Sequence, residues 1–267
     1  MAIETVPVIR METGGGVTAA HRAIPVEVPV AIVHDGSTHA VMMATPDDLE
    51  DFAVGFSISE GVIAGPGDIA SIEIVTQENG WEARLWLVPD AARVAVERRR
   101  RIVGPTGCGL CGVDSLDLAV RPAPPVPRGP MVTAATVIDA VRDLTGAQVA
   151  GRSTRATHAA ALFDPAAGIQ AMREDVGRHN ALDKLVGHVR RNSLPTAEAL
   201  CVITSRVSVE MVQKTAILGT PILVAVSAPT SLALAAADSA GLTVCAVVRD
   251  DAFEVFTGPE RIAGAVR

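Results

Sequence analysis

The chain has 267 residues, of which 49% are hydrophobic and 20% charged, and its formal charge is −7. That length and hydrophobic content support one large or two small packed domains and argue against a disordered chain. The acidic balance argues against a general nucleic-acid binder, because phosphate backbones reward a basic surface.

The first twenty residues hold charges and the run Gly14-Gly15-Gly16 without a continuous apolar core, so no export signal is expected and the cytoplasm is the expected compartment. Val26 to Val33 and Thr38 to Ala44 are strand-like runs around the turn His34-Asp35-Gly36-Ser37. A helix is expected next, with Thr45 as cap, Pro46 at its first position, Asp47 and Asp48 at its positive end, and Leu49, Phe52, Ala53 and Phe56 on one face. Ile69 to Thr76 and Trp81 to Val88 read as a second hairpin with Asn79-Gly80 in the turn. Arg121 to Pro130 holds five prolines and cannot form a regular helix or central strand. It marks a linker between a β-rich N-terminal domain, residues 1–120, and an α/β domain, residues 131–267.

The second part alternates. Helix Thr133 to Leu144 precedes strands near His158 to Phe163 and Ile169 to Arg173. A helix from Asn180 to Val189 follows, with Leu182, Leu185, Val186 and Val189 on one face. Then come strand Ala199 to Thr204, helix Ser208 to Leu218, strand Pro221 to Val226, helix Thr230 to Ala240, and strands Leu242 to Val248 and Phe253 to Thr257. Gly219 and Gly241 stand where helix C-caps belong. This repetition predicts a mainly parallel sheet covered by helices. Thr215 to Ala237 is uncharged over 23 residues, yet Gly219-Thr220-Pro221 and Ser227-Ala228-Pro229 break it into helix, strand and helix, so no membrane span is expected.

Chemistry concentrates in three places. Gly107-Cys108-Gly109-Leu110-Cys111-Gly112 leaves two sulfurs unshielded, downstream of Arg98 to Arg101. Cationic neighbours favour thiolate, the form that accepts and donates sulfur. A zinc half-site or a redox disulfide uses the same spacing, but zinc needs four ligands and Cys201 and Cys245 lie in separate apolar runs, as expected of core residues. A metal shared by two chains and a thioredoxin-type disulfide stay open. The second place is Arg173 to Lys184, with seven ionisable side chains in twelve residues between a strand and a helix. Asn180 as helix cap and Asp183 three residues on explain part of it. Gly177-Arg178-His179 would sit at a helix N-terminus, where anions bind. The third is one expected sheet edge, where strand ends carry Thr204-Ser205-Arg206, Ser227 to Ser231 and Arg249-Asp250-Asp251, groups suited to a pyrophosphate. No P-loop and no G-x-G-x-x-G is present, so neither an ATPase nor a conventional NAD enzyme is supported.

These pieces resemble the formate dehydrogenase accessory sulfurtransferase family, FdhD. The resemblance rests on Cys108 to Gly112, Thr157 to Leu162, Glu174 to Lys184, Arg206 to Lys214 and Ala225 to Leu232, in family order, from about Pro25 to the end. It implies a cytidine deaminase-like mixed sheet covered by helices, an α/β fold, with a smaller β-rich N-terminal domain, in a homodimer. It implies that sulfur passes from a cysteine desulfurase, as a cysteine persulfide, to the molybdenum bis(molybdopterin guanine dinucleotide) cofactor. That cofactor is bound as cargo destined for formate dehydrogenase, and no permanent metal is implied. Catalytic roles map onto Cys108, as persulfide carrier, and Cys111. The guanine-nucleotide stretch maps onto Val247, Val248, Arg249, Asp250, Asp251 and Ala252. The chain departs from the family at Ala252, where arginine is frequent, and at Phe256, where tyrosine is common; it has no tyrosine at all. Deamination is not expected, because zinc deaminases want H-x-E upstream of P-C-x-x-C and His158 meets neither condition. A thiol–disulfide redox protein and a non-catalytic cofactor chaperone are the competing readings.

Overall fold

The structure is a computed structural model that describes residues 2–99 and 121–265. Cys108 and Cys111 lie outside the described residues. The chain opens with an antiparallel hairpin, β1 (Ile3–Met11) and β2 (Val17–Pro25), turned around Gly15 at φ 87°. The sequence reading gave this stretch no strands, because its charged residues and glycines hide an alternation that is only partly buried.

Next comes a four-stranded sheet in the order β4-β3-β6-β5, built from β3 (Val28–His34), β4 (Ser37–Ala44), β5 (Ile69–Gln77) and β6 (Gly80–Leu87). Asp35 and Gly36 both take positive φ, 47° and 74°, as a two-residue hairpin turn with the right twist requires. The second hairpin turns one residue earlier than expected: Gln77 faces Gly80, so Glu78 and Asn79 form the loop. Gly80 is instead where β6 meets β3, since a Cβ there would lie 2.4 Å from the Pro29 carbonyl oxygen. Helix α1 (Leu49–Ser59) covers this sheet. It starts later than expected, after Asp48 at φ 53°, and Thr45 is not its cap. Helix α2 (Pro89–Arg99) was not anticipated.

A six-stranded sheet follows, in the order β12-β11-β10-β9-β7-β8. Its strands are β7 (His158–Asp164), β8 (Gly168–Asp175), β9 (Leu200–Ile203), β10 (Ile222–Ala225), β11 (Thr243–Ala246) and β12 (Glu254–Thr257). The sheet is mixed, as the family resemblance implies, and not mainly parallel as the strand–helix repetition alone predicts. β9–β10 and β10–β11 pair in parallel, whereas β7–β8, β7–β9 and β11–β12 pair antiparallel. The cause is connection length: β7–β8 and β11–β12 have short links with no room for a crossover helix.

Helices α3 (Ala134–Ala147), α4 (Ala150–Thr154), α5 (Arg178–Arg191), α6 (Val209–Leu218) and α7 (Ser231–Ala240) complete the larger part. Thr133 and Thr230 cap α3 and α7 through their hydroxyls, and Gly219 and Gly241 end α6 and α7 in the left-handed conformation. Strand β9 shows why the sheet holds two layers of helix. Leu200 and Val202 pack with Val137 and Leu144 of α3, while Cys201 and Ile203 pack with Leu182 of α5 and Met211 of α6. All four strand residues are buried, as a strand covered on both faces demands. The core on the α5 side is continuous with the first sheet, running through Phe52 and Phe56 of α1 to Val30 and Ile32 of β3. α1 and α5 cross at backbone contact: a Cβ on Gly55 would lie 1.8 Å from Asp183 O, and one on Gly187 1.8 Å from Asp51 O. Residues 215–237 are divided among α6, β10 and α7, and among the described residues no helix is long and apolar enough to cross a membrane.

Candidate functional site

The register puts the expected loops on one edge. Ala225 pairs with Ile203 and Val224 with Cys245, so β9, β10 and β11 end together. Val226 N donates to Ile203 O, Val248 N to Ala225 O, and Val207 bridges to Pro229, which ties the three loops to one another. β7 runs against β9, so His158 at its start, and Asp175 opposite it on β8, arrive at the same edge. The Ala159 amide donates to Thr204 Oγ1 at 3.0 Å, closing the corner.

Within the stretch 247–252, Val247 holds φ 56°, a rare conformation for a β-branched residue. Val248 is buried, while Arg249, Asp250, Asp251 and Ala252 are exposed. Arg249 Nη1 donates to Val226 O and Val248 O, both at 2.7 Å, and its amide donates to Ala252 O at 2.8 Å. Part of the guanidinium therefore braces the loop itself, a role the sequence reading did not foresee. Thr230, expected as a phosphate contact, spends its oxygen on the Ala233 amide.

The segment Glu174 to Lys184 divides into scaffold and remainder. Glu174 accepts the amides of Val149, Ala150 and Gly151 at 2.7–3.1 Å and so caps α4. Asp175 is fully buried and pairs with Lys184 Nζ at 2.7 Å, also with 0% side-chain exposure. Asp175 accepts from the Thr45 amide and hydroxyl, the Gly177 amide and Asn180 Nδ2, and Lys184 donates to Thr45 O and Oγ1. These bonds correct two expectations. Thr45 serves the ion pair instead of capping α1. Asn180 is the third residue of α5, and its amide clasps Asp175 and Met43 O instead of capping the helix. Gly177 takes the N-cap place, where a Cβ would meet Asn180 Nδ2 at 2.8 Å. Asp183 pairs with Lys214 Nζ at 2.5 and 2.6 Å rather than completing a capping box. Burial pushes the Asp183 carboxyl upward and Lys214 opposes that shift.

The scaffold leaves Arg178 and His179. His179 is 9% exposed, and neither ring nitrogen has a hydrogen-bond partner among the described residues; nor does Arg178 Nε. Burial, then the charges of Lys214 and Arg178, push the His179 pKa down to about 4, so the ring is neutral near pH 7. His158 is lowered as well, by burial and then by Arg178. His179 lines a narrow cleft with Met42, Phe56, Asp183 and Lys214, and Arg121 stands at its wall. Arg121 is held there by Gln213 Nε2 on its carbonyl and by its own bonds to Glu60. The sequence reading found Arg178 and His179 through their place at a helix start. It held Glu210, Gln213 and Lys214 only as part of the motif Arg206 to Lys214, with no place in a cleft, and it missed Glu60.

Cys201 and Cys245 are buried as expected, and burial pushes both thiols up to about 12. Among the described residues no group of three His, Cys, Asp or Glu side chains is placed to hold a metal.

The arrangement defines an α/β protein whose parallel strands end at one polar edge, next to a buried histidine cleft. Comparison with known proteins gives the family. The profile of the FdhD/NarQ family matches residues 25–263. The sulfur carrier protein FdhD of Agrobacterium fabrum is 49% identical over 249 residues, covering 93% of this chain and 92% of the relative. That of Variovorax paradoxus is 46% identical over 241 residues, covering 90% and 87%. The chain belongs to the FdhD/NarQ family. A crystal structure of a candidate formate dehydrogenase accessory protein from Desulfotalea psychrophila has the same fold, with a TM-score of 0.76 and 24% identity, covering 98% of this chain and 100% of that one.

Proposed function

We propose that this protein is a sulfurtransferase that matures molybdenum cofactor for formate dehydrogenase. The observation that carries the reading is near full-length identity of 49% to a sulfur carrier protein, with the Cys108-Gly109-Leu110-Cys111-Gly112 motif in place. In the proposed cycle the Cys108 thiolate attacks the outer sulfur of a desulfurase persulfide. A new S–S bond forms on Cys108, and the donor cysteine leaves as thiolate. The outer sulfur then passes as neutral sulfane sulfur to the bis(molybdopterin guanine dinucleotide) cofactor, the cargo of the protein; the S–S bond breaks, Cys108 leaves as thiolate, and the cargo's reduced molybdenum supplies the two electrons that make the sulfur a sulfido ligand. Cys111 acts as a resolving thiol or shapes the loop.

The guanine nucleotide is assigned to Val247, Val248, Arg249, Asp250, Asp251 and Ala252. The meeting of three loops at the sheet edge supports that position, because ligands of such sheets lie beyond strand C-termini. Helices on both faces of a mixed sheet support a cytidine deaminase-like α/β unit over 131–267, with 1–120 as the β-rich unit and 121–130 as linker. A homodimer in the cytoplasm, served by a cysteine desulfurase and serving formate dehydrogenase, completes the reading. Co-expression with a formate dehydrogenase tests it. The wild-type chain is expected to give active enzyme and Cys108→Ala inactive enzyme; activity with Cys108→Ala would remove the persulfide from the mechanism.

A further inference from the structure

A second pocket opens at the same sheet edge, between the end of α3, the short helix α4 and the start of β7. Arg152, Arg155, Thr145, His158 and Thr204 line it, and among the described residues no carboxylate does. Both arginines are exposed. Arg152 spends only Nε, on Gln148 O at 2.8 Å, and among the described residues the Arg155 side chain makes no hydrogen bond or ion pair. Arg155 ends α4 at φ 58°, a conformation that glycine adopts more easily. One carboxylate lies behind this wall. Glu174 is buried and accepts the amides of Val149, Ala150 and Gly151 and the Thr157 hydroxyl, so its oxygens serve the α4 backbone and pair with neither arginine. Thr204 Oγ1 accepts the Ala159 amide at 3.0 Å, which leaves its own proton to donate to a ligand or to His158 Nδ1, 3.5 Å away. The His158 imidazole adds an N–H. Two guanidinium forks, an imidazole and hydroxyls, with no carboxylate competing for them, form a donor set that matches phosphate oxygens. A phosphate polymer is a poor fit, because the chain as a whole carries −7. Position names the ligand. Ile203 pairs with Ala225 and Val224 with Cys245, so Thr204 and Val247, each one residue past its strand, stand level and two strands apart. That separation is about 10 Å, a span that an extended nucleoside diphosphate covers.

We infer that the pocket of Arg152, Arg155, His158 and Thr204 binds the diphosphate of a guanine nucleotide whose base lies against 247–252. The inference rests on the proposed seat of the nucleotide at that stretch and adds to it the residues that hold its phosphates. Each arginine presents its fork to one phosphate, and Thr204 stands where the ligand enters from the β11 side. Inorganic pyrophosphate shares this chemistry and is the competing source.

The test is calorimetry on the full chain with GDP, guanosine and inorganic pyrophosphate. Three chains are compared: wild type, Arg152→Gln/Arg155→Gln, and Arg10→Gln/Arg93→Gln, which removes the same charge outside the pocket. The readout is the preference for GDP over guanosine within one chain, a ratio that a general loss of folded protein does not move. It is expected to be large in wild type and in the outside pair. In the pocket pair it is expected to fall about a hundredfold, roughly tenfold for each charge-assisted contact, and Arg152→Lys/Arg155→Lys is expected to recover part of it. Pyrophosphate is expected to displace GDP from wild type and to lose its binding in the pocket pair. A preference for GDP undiminished in the pocket pair would overturn the inference and leave the nucleotide at 247–252. Pyrophosphate that binds at the two arginines without displacing GDP would overturn it as well, since the pocket would then serve the free anion. A wild-type chain that binds neither GDP nor guanosine would strike the seat at 247–252 and the inference together. Charging of wild-type Cys108 by a desulfurase and cysteine, followed by mass in parallel, reports on the sulfur-carrier reading independently of every nucleotide result.

Discussion

The Lys184→Met substitution probes the scaffold that presents the α5 start. Lys184 and Asp175 have 0% exposed side chains, and the three ammonium protons are matched by Asp175 Oδ2 at 2.7 Å, Thr45 Oγ1 at 2.9 Å and Thr45 O at 3.0 Å. Methionine keeps the stem and removes the charge. Asp175 then remains buried without a countercharge, and breaking such a pair costs about 3–5 kcal/mol. Four donors still reach the carboxylate, from Thr45 N, Thr45 Oγ1, Gly177 N and Asn180 Nδ2, which places the loss toward about 3 kcal/mol. For a chain of this size that is a fall in Tm of roughly 6–12 °C. Adding Asp175→Asn removes the stranded charge, so the double variant is expected to recover part of the loss, and a double-mutant cycle on urea unfolding reads the coupling. A Lys184→Met protein within about 1 kcal/mol of wild type would refute the reasoning, because no buried, fully matched ion pair gives so small a loss.

Three further expectations follow from particular contacts. Gly187→Ala drives a methyl group against Asp51 O, at 1.8 Å without relaxation, so it is expected to cost about 2–3 kcal/mol or abolish soluble expression; an unchanged Tm would contradict the helix crossing. Arg249→Ala removes both a cation and the brace to Val226 O, and is expected to weaken GDP binding about ten- to a hundredfold, with GDP preferred over ADP in wild type. Equal calorimetric affinity for the two nucleotides, with no effect of the substitution, would place the nucleotide elsewhere. Cys201 and Cys245, buried and with thiols pushed up to about 12, are expected to resist iodoacetamide in the native protein, which residue-level mass spectrometry checks; rapid labelling of either would break the core assignment.

Much of the fold was legible because local chemistry and tertiary structure agree. Asp35-Gly36 demanded positive φ and received it, and Gly219 and Gly241 ended helices where left-handed glycine was expected. The failures share a cause: long-range partners took over residues with a local habit. Thr45 and Asn180 look like caps in sequence, but Thr45 serves Asp175 from 130 residues away and Asn180 Nδ2 reaches Met43 O across 137 residues. Strand direction was misjudged because strand–helix repetition does not report which strands are neighbours, and β7 pairs with both β8 and β9 antiparallel. Gly55 and Gly187 gave no local sign of a helix crossing, since that need exists only once α1 meets α5. At the site, Arg178 and His179 were legible from their place between strand and helix. The cleft was not, because Met42, Phe56, Arg121 and Lys214 come from four separate stretches of chain.

The central claim, that sulfur travels on Cys108, is tested most directly by intact and peptide-level mass after incubation with a cysteine desulfurase and cysteine. The account predicts one added sulfur on the peptide containing Cys108, lost on reduction and absent in Cys108→Ala. Added sulfur confined to Cys111, Cys201 or Cys245, or no added sulfur on a chain that still activates formate dehydrogenase, would contradict it.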